Sequence, residues 1–165
     1  MNEIGGAEMP LSMYEEFIMT DTIKEEKGYY KFIGNNLANC DTATFMKNAY
    51  QLRELVERFD KATGINNIRA EKLTVEDTAS DEVKTVAEKN FIKDKWSRIL
   101  GACFGNNYEI TAELLAAFCF ATVDEIKELE PYELNNLLFV LLSNARIKDF
   151  FTSLRLWGLI DTDEL

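Results

Sequence analysis

Histidine is absent from this 165-residue chain, and that gap excludes several chemistries at once. Without imidazole there is no usual general base for a Ser or Cys nucleophile, and the commonest zinc ligand is missing. Cysteine is scarce. Cys40, Cys103 and Cys119 form an odd number with no C-x-x-C spacing, which indicates neither a disulfide framework nor a zinc site. The most apolar run, Leu137 to Leu142, is far shorter than the roughly 20 residues that span a bilayer. Residues 1–10 lack a basic n-region and an apolar h-region, so no secretory signal is expected. Basic charge is also short: 18 Lys+Arg against 29 Asp+Glu give −11, which disfavours binding to nucleic acid or to an anionic membrane. Reduced thiols and no targeting segment read as a cytoplasmic protein.

Two prolines and eight glycines leave long stretches free of helix breakers, and 47% hydrophobic residues suffice for one buried core. Residues 1–40 form an N-terminal segment without a clear assignment. Met13, Phe17, Ile18 and Ile23 suit short helices, while Tyr29 to Ile33 is rich in strand formers. Residues 41–160 read as a helical domain. Asp41 is a good N-cap, Gly64 a good C′ residue, and between them Phe45, Ala49, Leu52, Val56 and Phe59 recur at helical spacing, widened by Met46 and Leu55.

Asn66 to Ser80 is polar and reads as a surface loop, with an extended piece around Leu73 to Val75. Val83, Ala87, Phe91, Ile92, Trp96 and Cys103 then mark a second long helix, punctuated by Gly101 and Gly105. Thr111 opens a helix to about Phe120. Thr122 and Glu125 form a capping box, and Pro131 opens a helix apolar nearly all round, expected at the centre. Arg146 to Trp157 closes the series. The expected fold is all-α, a compact bundle of about six helices.

Few residues invite chemistry. The acid pairs Glu15–Glu16, Glu25–Glu26, Asp124–Glu125 and Glu128 with Glu130 fall on solvent faces or helix starts, where carboxylates are favoured. A hydrolase would need two such acids converging in a cleft. Gly101 to Asn107 is glycine-rich but lacks the P-loop Lys and reads as a helix stop. Cys103 has no activating base. No catalytic, metal-ligating or cofactor-binding residue is assigned, and no cofactor is expected. Trp96 and Trp157 read first as core residues. Apolar residues on two sides of the last helix, Phe150, Phe151, Leu154, Leu156 and Trp157, make a candidate partner-binding surface.

Two stretches carry a family likeness. One is the helix FMKNAYQLRELVERFDKATGI at residues 45–65. The other is AELLAA at 112–117 followed by VDEIKEL at 123–129, PYEL at 131–134 and KDFF at 148–151. The series, over residues 41–155, resembles the tail assembly chaperones of long-tailed bacteriophages and prophages. The resemblance implies a small, acidic, helical, non-enzymatic protein of the host cytosol. It would bind the tape measure protein, keep it soluble until tail tube subunits polymerise, contact the tail tube protein, and self-associate. The rival reading is an acidic inhibitor that mimics nucleic acid and blocks a host nuclease; the −11 charge favours it.

Overall fold

The computed structural model describes residues 28–156, which contain eight α-helices, one π-helical turn and no strand. The helices are α1 (Gly28–Gly34), α2 (Thr42–Thr63), α3 (Ile65–Ala70), α4 (Asp81–Leu100), α5 (Tyr108–Phe118), α6 (Val123–Lys127), α7 (Pro131–Ser143) and α8 (Ala145–Leu156). The π-helical turn, Gly101–Gly105, follows α4 directly. The all-α expectation holds over the described residues. The count exceeds six because short helices form where an extended piece and a loop were expected.

Both corrections have a tertiary cause. Tyr29 to Ile33 has strand-like composition, yet it lies in α1, where the helical repeat buries Tyr29 and Phe32 and packs α1 against α7. Burial outweighs a β-propensity scale that spans only about 1 kcal/mol. The start of the expected loop becomes α3 because Gly64 ends α2 in the left-handed region at φ 63° and the next residue, Ile65, turns into the core. Residues 71–80 stay non-helical, with no strand at Leu73 to Val75.

α2 follows its sequence signals closely. The Asp41 carboxylate accepts the Thr44 N–H at 2.9 Å, and Phe45, Ala49, Val56 and Phe59 are buried. α4 departs from its signals. Ser80 caps it, but only Ile99 is buried, and Val83 and Val86 stay more than half exposed. Its second half packs Trp96, Ile99 and Leu100 on the core and is also tied to α3 by polar side chains. Lys95 donates to the carbonyls of Arg69 and Glu71 at the end of α3, and Arg98 grips Glu71 with two hydrogen bonds of 2.6 and 2.7 Å.

Gly101 does not stop α4. It keeps right-handed helical angles and leads into the π-helical turn, whose wider repeat is served by two side chains. Asn107 donates to the carbonyls of Ala62 and Ala102. Thr111, expected to open a helix, is buried inside α5, and its hydroxyl reaches back to the Cys103 carbonyl at 3.0 Å. α5 therefore starts earlier, at Tyr108, and it packs against α2, α6 and α7.

The capping box at Thr122 and Glu125 opens α6, and Pro131 stands in the first turn of α7. α7 is central as expected: Leu134, Leu137, Leu138, Leu141 and Leu142 are buried, and it touches α1, α5 and α8. Residues 28–40 share this core, with the Leu37 N–H bonded to the Phe118 carbonyl at 2.7 Å.

Candidate functional site

α8 lies across α2, and the seam between them holds the densest set of aromatic contacts among the described residues. The Phe150 ring meets Phe45, Tyr50 and Phe151 edge-on, with centroids 5.2, 5.4 and 5.2 Å apart. Edge-to-face contact suits the ring quadrupoles and holds the rings in place. Phe150 is half-buried, while Met46 and Tyr50 on α2 are 39% and 42% exposed. The seam thus presents apolar side chains at the surface, on a base formed by two helices.

Two arginines hold α8 at its ends. Arg146 donates to the Cys40 carbonyl at 2.5 Å, and its guanidinium lies 4.3 Å from the centre of the Phe45 ring. Arg155 pairs with Asp60 of α2, and Asn66 of α3 donates to the same carboxylate oxygen. Burial pushes the Asp60 carboxyl above its ordinary range, against the opposing pull of Arg155, Asn66 and Arg69. Arg69, the neighbouring cation, donates to the Leu142 carbonyl at 2.9 Å.

The five residues of the expected partner surface do not act together. Phe151 and Leu154 are buried, with Phe151 stacked beside Phe118 at 6.2 Å, so both pack within the chain. Phe150 belongs to the seam, Leu156 is 81% exposed, and Trp157 lies outside the described residues. The seam instead recruits Met46 and Tyr50. Helical spacing puts Met46 at the edge of the apolar stripe of α2, whereas Tyr50 carries no periodic signal of its own. No family model matches the chain, and no curated protein or solved structure does either.

A second feature is a cleft of about 360 Å³ between α1, α6 and the start of α7. Phe32 and Leu129 supply apolar lining, and Lys31, Glu125, Glu128, Glu130 and Glu133 supply charge. Two of these carboxylates already have structural work. Glu125 accepts the Thr122 N–H at 2.8 Å, and buried Glu133 accepts the Glu130 N–H at 2.9 Å, each closing the first turn of a helix. The hydrogen bonds from Thr122 hold the Glu125 carboxyl below the usual range. These carboxylates are cap acceptors.

The thiols follow the same logic. Cys103 and Cys119 are buried, and loss of water pushes both up to about 12, far from a reactive thiolate at neutral pH. The acid pairs Glu15–Glu16 and Glu25–Glu26 lie outside the described residues. Among the described residues, no group of His, Cys, Asp and Glu is arranged to hold a metal ion, and no helix is long and apolar enough to cross a membrane.

Proposed function

We propose that this chain is a non-enzymatic tail assembly chaperone that binds the tape measure protein and keeps it soluble until the tail tube polymerises. The observation that carries the reading is the α2–α8 seam, where Met46 and Tyr50 are exposed beside the half-buried Phe150 ring. Aromatic and Met side chains are over-represented at protein–protein interfaces, and such a strip suits the apolar face of a client helix. The surplus of 11 negative charges keeps a complex with an aggregation-prone client in solution. The helical fold and the likeness over residues 41–155 support the same reading.

The test is co-expression with the tape measure protein encoded beside its gene. The expected result is a soluble complex that survives gel filtration, and that Met46→Glu with Tyr50→Glu dissolves. A client that stays insoluble, or a complex indifferent to both substitutions, refutes the reading.

One observation favours the rival, an acidic inhibitor of a host nuclease: Glu125, Glu128, Glu130 and Glu133 line one cleft with a single lysine. That reading requires inhibition of a basic nuclease that collapses with added salt and with Glu128→Lys. Salt-insensitive behaviour toward such enzymes disposes of it.

A further inference from the structure

We propose that α8 is an exchangeable helix, and that two copies of this chain form a dimer by seating each copy's α8 in the other's groove. The whole connection between α7 and α8 is one residue, Asn144, since α7 ends at Ser143 and α8 begins at Ala145. The bend resides in its backbone, at φ −69° and ψ 121°. Its φ is already helical. Rotation of the single angle ψ to about −42° turns α7 and α8 into one continuous helix and carries α8 away from its own body.

The two arrangements make comparable hydrogen bonds. In the bent form the Asn144 side chain accepts the Ile147 N–H at 3.2 Å, its carbonyl accepts the Lys148 N–H at 3.0 Å, and Arg69 satisfies the Leu142 carbonyl. In the straight form the first N–H groups of α8 satisfy the last carbonyls of α7 by the ordinary i to i−4 pattern. Asn is a poor residue for a helix interior and a good N-cap, so this residue is what favours the bend.

The groove identifies its occupant. α8 is held to the body by Ile147, Phe151 and Leu154, by Arg146 on the carbonyls of residues 38 and 40, and by Arg155 on Asp60. A second copy's α8 carries the same side chains in the same order, so it remakes every one of these contacts without any new surface having to fit. Exchange of an identical element is a low-cost route to a dimer.

The Arg155–Asp60 pair supplies the test. Two full-length variants are made, Asp60→Arg and Arg155→Asp. Within either one, α8 meets a like charge on its own body. In a mixed dimer that exchanges α8, both mismatches vanish, because each body then faces the opposite charge. The expected result is that mixing drives the two variants into a one-to-one mixed dimer, seen by gel filtration with light scattering, at the expense of the species that each forms alone.

Asn144→Ala provides a second measurement that leaves the clamp intact. Removing the cap and favouring the straight hinge is expected to raise the dimerisation constant roughly tenfold or more. Circular dichroism establishes that each variant is folded. A monomeric mixture of folded variants, or an Asn144→Ala protein no more dimeric than the parent, overturns the proposal.

Discussion

Replacing Leu154 by Ala and Leu156 by Ala removes the same atoms two residues apart on one helix, with opposite expected outcomes. Leu154 is fully buried beneath α8, while Leu156 is 81% exposed. Truncating a buried Leu loses the transfer free energy of the side chain and leaves a cavity, together about 2–5 kcal/mol. Truncating an exposed one moves stability by no more than about 0.5 kcal/mol. For a domain of this size, a loss of about 3 kcal/mol lowers Tm by roughly 6–12 °C. Urea and thermal unfolding followed by circular dichroism measure both variants against the parent. Equal effects, or a larger loss from Leu156→Ala, would mean that α8 presents its other face to α2 and α5. The seam and the exchange groove would then fall together.

Other outcomes follow from single contacts. Cys40, half-buried, is expected to react with a thiol reagent in the folded protein, whereas Cys103 and Cys119 react only on unfolding; fast labelling of all three would contradict the described core. Asp60 has a folded-state pKa raised above its ordinary 3.8, so it binds its proton more tightly in the folded chain. Its contribution to stability is therefore full below about 3.8 and declines as pH rises through the raised value. The stability of the parent relative to Asp60→Asn should fall over that interval, read from paired urea titrations, and a rise would reverse the argument. Thr122→Ala removes half of the capping box and should cost about 1 kcal/mol in the same assay. Gly64→Ala meets no atom within 4 Å but must hold φ at 63°, so a loss of about 1 kcal/mol is expected from backbone strain alone.

Much of the fold was legible because helix ends are written in local chemistry. Asp41, Gly64, Ser80, Thr122 and Pro131 each act on backbone groups within a few residues, and each stands where its residue type predicts. The departures arise where a residue type serves more than one backbone role. The Thr111 hydroxyl suits an N-cap, yet it serves the carbonyls of Cys103 in the preceding wide turn and of Asn107 just before α5. Gly101 looked like a stop, but glycine also accepts right-handed helical angles. Phe120 carries no local sequence signal for its φ of 52°, a conformation usually left to glycine, just past the end of α5.

The partner surface shows the same division. Periodicity marks which residues of α8 are apolar, but Phe150, Phe151, Leu154 and Leu156 differ only in what other helices place against them. Tyr50 entered the seam because the Phe150 ring lies 5.4 Å away in space, 100 residues further along the chain.

Composition and local pattern determined by themselves that residues 41–156 are mainly helical, that the chain is acidic and without histidine, and that it is able to bury one core. Those properties depend on residue type and on spacings of three to seven positions. Only the tertiary structure decided which apolar stripes are sealed and which stay open, and that Asp60 and Arg155 meet. Such outcomes depend on helix-to-helix packing between segments about 100 residues apart, and no short-range pattern encodes them.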